Sequence, residues 1–183
     1  MIKKRPLILL DRDGVINHNT DDYIKSPDEW CPIPGSLDAI ADLNRAGFRV
    51  IVVSNQSGIA RGFYTLSTLS DIHEKFIRLL AEVGGHIDDI LFCPHHPSEN
   101  CACRKPKLGL FRRIQEKYHD TLENTFFIGD SLSDMQAALA LPCKPLLALT
   151  GNGEKTLRKN ADLLKDVPCK KNLLEAVQYV LQH

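Results

Sequence analysis

Four consecutive apolar residues, Leu7-Ile8-Leu9-Leu10, stop abruptly in Asp11-Arg12-Asp13-Gly14. No other feature of the chain constrains its fold as much. A short apolar run without polar alternation reads as a strand buried on both faces, the pattern of a parallel sheet covered by helices. Asp11 and Asp13 then emerge together at the strand's carboxyl end, and Gly14 lets the backbone turn away. Open α/β sheets bind ligands at that edge. Two carboxylates held so close repel each other, and a divalent cation keeps both ionised. Alone, Asp-x-Asp-Gly is equally a pair of acids capping a strand-to-loop junction.

The junction recurs along the chain. Phe48–Val53 is a second buried strand, ending in Ser54-Asn55-Gln56-Ser57-Gly58-Ile59-Ala60-Arg61-Gly62. Ile87–Phe92 is a third, running into Cys93, and Thr125–Ile128 a fourth, running into Gly129-Asp130-Ser131-Leu132-Ser133-Asp134. Leu146–Leu149 gives a fifth, followed by a turn over Thr150–Gly153. Between them lie helical periodicities. Ser36–Ala46 carries Ser36 as its expected cap, and Thr65–Val83 aligns Leu69, Ile72, Phe76, Leu79, Leu80 and Val83 on one face. Leu108–Tyr118 and Asn172–Leu181 follow, the latter turning Leu173, Leu174, Val177 and Leu181 inward. His73 reads as a plain surface or boundary residue. Val15–Pro34 reads as loop. Strands alternating with helices predict an α/β fold with a doubly wound, mostly parallel sheet and helices on both faces. With 183 residues, the chain is expected to form a single domain over 1–183. No interval leaves room for a cap domain, which needs about 50 residues.

Each junction has its own chemistry. Ser54, Asn55 and Gln56 offer a hydroxyl and two amides, a phosphate cradle that brings no competing charge; a turn is the alternative. Arg61 adds a forked cationic contact. Asp130 at a strand tip reads as a metal ligand, and Asp134 as its neighbour across the first helical turn or as a helix cap. Cys93, His95, Cys101 and Cys103 lie within one turn-rich loop. Three thiolates and one imidazole suit tetrahedral zinc with no open position, so this zinc is structural. His96 competes with His95, and the Cys-x-His spacing favours His95. Arg104-Lys105-Pro106-Lys107 follows directly, placed to hold a phosphate or simply solvated.

Net charge is +0, so no global field recruits nucleic acid or a membrane surface. The basic opening Met1–Arg5 resembles a signal n-region, but the apolar run behind it is too short for one, and no stretch is long enough to span a bilayer. A cytoplasmic protein is expected, and its six cysteines then point to metal rather than disulfides.

Asp11-Arg12-Asp13-Gly14, Ser54-Asn55, Lys105 and Gly129-Asp130 with Asp134 resemble, in order, the four motifs of the haloacid dehalogenase-like phosphatases. Within that superfamily, residues 54–62 and 93–106 resemble its sugar-bisphosphate branch. The resemblance implies a magnesium-dependent phosphoric monoester hydrolase that removes the 7-phosphate of a heptose 1,7-bisphosphate, a lipopolysaccharide-core precursor. Asp11 would be the nucleophile and Asp13 the general acid and base. Magnesium would be held by Asp11, the Asp13 backbone carbonyl and Asp130, with Asp134 supporting it from behind. Ser54, Asn55 and Lys105 would bind the transferring phosphoryl group, and Arg61 and Arg104 the rest of the substrate, including its other phosphate. Leu108 and Ser131 depart from the pattern, where proline and, in some members, lysine stand. A histidinol-phosphate phosphatase is the second reading, because its motif after the second strand usually lacks the continuation seen here. A non-catalytic zinc-stabilised binding module, such as one for nucleic acid, is the third; zero net charge and the lack of aromatics among the basic residues argue against it. A monomer acting on a small molecule, with no nucleic-acid partner, is expected.

Overall fold

A computed structural model describes residues 5–20 and 22–183; Asp21 and most of the basic opening, Met1–Lys4, lie outside the described residues. Six strands form one sheet: β1 (Leu7–Leu10), β2 (Arg49–Asn55), β3 (Asp89–Cys93), β4 (Phe126–Gly129), β5 (Lys144–Ala148) and β6 (Cys169–Lys170). Their order is β3-β2-β1-β4-β5-β6, and every adjacent pair is parallel. The chain winds outward from β1 to β3, then restarts at β4 on the other side of β1. A crevice opens at the carboxyl ends where the winding reverses, and Asp11 follows the strand at its centre.

Side-chain alternation divides the strands between two cores. Ile8, Leu10, Val50, Val52 and Ile128 point to one face, under α1 (Ser36–Arg45), α2 (Leu66–Glu82) and α7 (Leu173–Val180). Leu7, Leu9, Ile51, Val53 and Phe127 point to the other, under α3 (Gly109–Tyr118) and α4 (Leu132–Leu139). The strand that carries Asp11 is therefore covered on both sides and cannot shift its register without exposing one core.

The structure corrects several expectations. Ser36 does not cap α1; Gly35 holds that position, and the buried Ser36 Oγ donates to the Ile16 carbonyl at 2.6 Å, tying the helix to the loop after β1. β2 runs on to Asn55, so Ser54 and Asn55 are the last residues of a strand rather than a loop. Val83, just past the end of α2, is exposed, and Leu181, just past the end of α7, is exposed while Ala176 and Val180 are buried. Sequence periodicity gave no sign of α5 (Gly153–Lys159), α6 (Ala161–Leu164) or β6, which close the sheet's far edge over Met135, Leu147, Leu164 and Val167. The long loop after β1 carries its own buried anchor. The Trp30 ring packs at a tilt 5.2 Å from Phe76 of α2, and Lys75 Nζ donates to the Pro27 and Trp30 carbonyls at 2.7 and 2.9 Å.

Candidate active site

Asp11 leaves β1 with its backbone N–H donating to the Ile128 carbonyl at 2.9 Å, which locks it to the neighbouring strand β4. Lys105 comes from the far side. Its Nζ is buried, lies 2.9 Å from Asp11 Oδ1 and 2.7 Å from Asp134 Oδ1, and donates to the Val53 carbonyl at 2.6 Å. Burial works to lower the Lys105 pKa, but Asp11 and Asp134 outweigh it and the ammonium stays charged. Burial lifts Asp11 well above the usual carboxylate range; Asp134 and Asp130 add to the lift and Lys105 opposes it. Burial, then Asp134, lifts Asp130 to about 7. Asp130 Oδ2 accepts from the Asn152 backbone N–H at 2.7 Å, and Gly14 passes so close, at φ 87°, that a side chain there would land on that carboxylate. Ser131 caps α4, and its N–H and hydroxyl donate to Asp134 Oδ2 at 3.0 and 2.6 Å. The serine that departs from the motif thus orients Asp134, whose other oxygen meets Lys105.

Asp13 lives in the opposite surroundings. Its Oδ1 accepts from Arg12 Nε at 3.0 Å and Asn17 Nδ2 at 2.9 Å; its Oδ2 accepts from an Arg12 terminal nitrogen at 2.9 Å and Gln56 Nε2 at 2.8 Å. Burial works to raise its pKa, but the Arg12 guanidinium and the bonds from Asn17 and Gln56 outweigh it and hold it below the usual value. Arg12 is buried, and its other terminal nitrogen lies 3.3 Å from His73 Nε2. Burial, then Arg12, pushes His73 down to about 4, so the ring is a neutral acceptor, not a free surface residue.

A cleft of about 340 Å³ opens above these groups. Asp11, Asp13, Asp130, Ser54 and Lys105 reach its floor and wall, as do Asn55, Gln56 and Arg104. Asn55 spends its side chain on the Lys105 backbone, accepting from its N–H at 3.0 Å and donating to its carbonyl at 3.2 Å. One Arg104 guanidinium nitrogen is buried at the rim with no hydrogen-bond partner among the described residues. The structure does not bring Arg61 to Arg104 in this wall: Arg61 is exposed, over the Tyr23 ring at 6.0 Å, beside a separate small hollow.

Two donor sets fit metal ions. Asp11, Asp130 and Asp134 offer carboxylate oxygens within 4.8 Å of one another. Counted as ionised, these three with Asp13 carry four negative charges against the two positive charges of Arg12 and Lys105. That excess of two suits a divalent cation bound through hard oxygen ligands. Cys93, His95, Cys101 and Cys103 form the second set. The three sulfurs stand 3.2 to 3.5 Å apart, and His95 Nδ1 lies 3.2 Å from Cys103 Sγ. Tetrahedral zinc–thiolate ligation needs sulfurs about 3.8 Å apart, so the cage accepts zinc with a few tenths of an ångström of expansion. His96 faces away, and its Nδ1 accepts from the Ser98 N–H at 3.2 Å to cap the turn Pro97–Glu99.

The family model for polynucleotide kinase 3 phosphatase matches residues 6–161. A D-glycero-beta-D-manno-heptose-1,7-bisphosphate 7-phosphatase of Pseudomonas putida is 55% identical over 153 residues, covering 84% of this chain and 87% of the relative. The enzyme of the same name from Neisseria meningitidis is 46% identical, covering 96% and 95%. The crystal structure of D,D-heptose 1,7-bisphosphate phosphatase from B. bronchiseptica, complexed with magnesium and phosphate, superposes with a TM-score of 0.93 at 46% identity, covering 97% and 98% of the chains. The chain belongs to the heptose-1,7-bisphosphate 7-phosphatase family.

Within this heptose-bisphosphatase fold, several residues of the site carry no motif signal. Arg12 sits between two acids and looks solvated in sequence, yet it is buried. Tyr64 joins the network by donating its hydroxyl to Gln56 Oε1 at 2.6 Å. Thr150 Oγ1 donates to the Gly14 carbonyl at 2.6 Å, so the turn after β5 props the first motif. One sequence signal was available for that turn: Thr-Gly-Asn-Gly ends a buried strand, as the other site loops do.

Proposed function

We propose that this chain is a magnesium-dependent phosphatase that removes the 7-phosphate of D-glycero-β-D-manno-heptose 1,7-bisphosphate. The observation that carries the reading is Asp11 at the tip of the central strand. It is pinned by Lys105, which Asp134 in turn holds, and faces a cleft that Ser54, Asp130 and Arg104 also line. Family membership supplies the substrate.

Asp11 attacks phosphorus, the P–O bond to the sugar's C7 breaks, and an aspartyl-phosphate forms. Asp13 starts as a carboxylate; the approach of a doubly charged phosphoryl group raises its proton affinity, so that it takes up a proton from solvent and gives it to the departing alkoxide. Asp13 then removes a proton from water, which attacks the same phosphorus; the Asp11–P bond breaks and inorganic phosphate leaves. Asp11, the Asp13 carbonyl and Asp130 would hold magnesium, which when bound spreads charge off the phosphoryl oxygens. Lys105 and Ser54 bind that phosphoryl group. Asp134 keeps Lys105 and the metal ligands in place. Cys93, His95, Cys101 and Cys103 would hold a structural zinc that fixes the loop carrying Arg104 and Lys105.

The unpaired Arg104 nitrogen suits the second phosphate, on C1. Arg61, over the ring of Tyr23, which also lines the cleft, would meet that phosphate or the sugar from the outer rim. Among the described residues no helix is long and apolar enough to cross a membrane; the chain is proposed to act on a dissolved sugar as a monomer in the cytoplasm. Arg104→Ala is the test. It should lower kcat/KM on the bisphosphate about 10- to 150-fold, as for loss of one charge-assisted contact, and act much less on heptose 7-phosphate. Equal losses on both would remove Arg104 from the second anion site.

A further inference from the structure

Gln56 has no bonding capacity left for a ligand. Its side chain is 2% exposed. Its Nε2 donates to Asp13 Oδ2 at 2.8 Å and to Ser54 Oγ at 2.6 Å, and its Oε1 accepts from Tyr64 Oη at 2.6 Å and from Arg12 at 3.1 Å. Two donors and two acceptor sites are all that an amide side chain has. The amide orientation is fixed by chemistry. Arg12 only donates, and a flipped amide would face its guanidinium with another donor and present Asp13 with a second acceptor. The backbone is equally constrained, because the Gln56 N–H donates to the Cys93 carbonyl at 2.8 Å. Tyr64 is wedged against Gly58, where any side chain would collide with the ring. Burial lifts the Tyr64 hydroxyl to about 12, so it remains a donor.

Asp13 shows what this arrangement governs. Its Oδ1 is taken by Asn17 and Arg12, and its Oδ2 is shared by Gln56 at 2.8 Å and an Arg12 terminal nitrogen at 2.9 Å. We propose that Gln56, held by Tyr64 and Arg12, is a positioning residue that fixes Asp13 Oδ2 for proton transfer to the leaving group, and is not a ligand of the phosphate. The inference rests on the reading of Asp13 as the general acid. It reassigns a residue whose place after the second strand otherwise suggests a phosphate contact.

Leaving-group chemistry separates the two roles. Both a sugar phosphate and 4-nitrophenyl phosphate present the same phosphoryl group. Only the sugar alkoxide needs a proton in order to leave; 4-nitrophenolate departs as a stable anion. kcat/KM covers the steps through that departure, so the later role of Asp13 as base drops out. The experiment measures kcat/KM on heptose 1,7-bisphosphate and on 4-nitrophenyl phosphate for wild type, Gln56→Leu, Tyr64→Phe and Asp13→Asn. Thermal melts confirm that each variant is folded, and Tyr64→Phe removes only a hydroxyl.

A positioning role predicts that Gln56→Leu loses about tenfold more on the sugar ester than on the aryl ester, with Tyr64→Phe shifted the same way by a smaller factor. Any shared damage to Ser54 cancels in that ratio. Equal losses on both esters for Gln56→Leu, or no loss on either, overturn the inference while a selective Asp13→Asn leaves Asp13 as the acid. Equal losses for Asp13→Asn overturn the reading of Asp13, and the inference falls with it.

Discussion

Asp11 and Asp13 are two positions apart in sequence and sit in opposite electrostatic surroundings. Asp11 is crowded by burial and by two other carboxylates, with Lys105 as its counter-charge; Asp13 is wrapped by Arg12, Asn17 and Gln56. The division fits a nucleophile whose charge a metal and a lysine must stabilise, beside an acid held in one orientation. Asp11→Asn should abolish turnover, because an amide cannot accept the phosphoryl group; retained wild-type activity in a phosphate-release assay would mean that water attacks directly. The candidate site positions were legible because each ends a buried apolar run: Asp11 after β1, Ser54 at the end of β2, Asp130 after β4. Arg12, Asn17 and Tyr64 were not. Their partners come from elsewhere in the fold, and nothing in the order of residues shows that an arginine between two acids will be buried, or that Tyr64 will reach Gln56. Sequence alone suggests Gln56 as a phosphate donor for the same reason, since its hydrogens meet Asp13 and Ser54 only in the fold.

Elements were legible in proportion to their length and periodicity. The runs of β1, β2 and β4 and the 17 residues of α2 announced themselves. α5, α6 and β6 did not: α6 has four residues and β6 two, too short for any period to register. A serine at a helix start usually caps it, whereas the Ser36 hydroxyl at the start of α1 is buried against the Ile16 carbonyl. Ser36→Ala should therefore act by unfastening the loop after β1 rather than by fraying the helix. The Ile16 carbonyl keeps a second donor, the Ile33 N–H at 2.9 Å, so the cost should be about 1 kcal/mol. A urea titration should show the midpoint falling with the slope unchanged, whereas an unaltered midpoint would mean that the bond contributes nothing to stability.

At the scale of the whole molecule, one parallel sheet gathers loops from distant parts of the chain around Asp11, and the loop after β3 has little apolar material to hold it. The donors of Cys93, His95, Cys101 and Cys103 converge there instead, next to the Lys105 backbone that Asn55 brackets. Purified protein should contain about one zinc per chain. Cys101→Ala should lose that zinc, lower the melting temperature and reduce activity through a loosened Lys105; zinc-free protein with full activity would remove the structural role. Loss of the 7-phosphate from a heptose bisphosphate at Asp11 is followed most directly by phosphorus NMR of the reaction with magnesium. With D-glycero-β-D-manno-heptose 1,7-bisphosphate, the 7-phosphate resonance should convert one-for-one to inorganic phosphate while the anomeric 1-phosphate persists, with histidinol phosphate turned over far more slowly. Loss of the anomeric phosphate, or faster hydrolysis of histidinol phosphate, would contradict it.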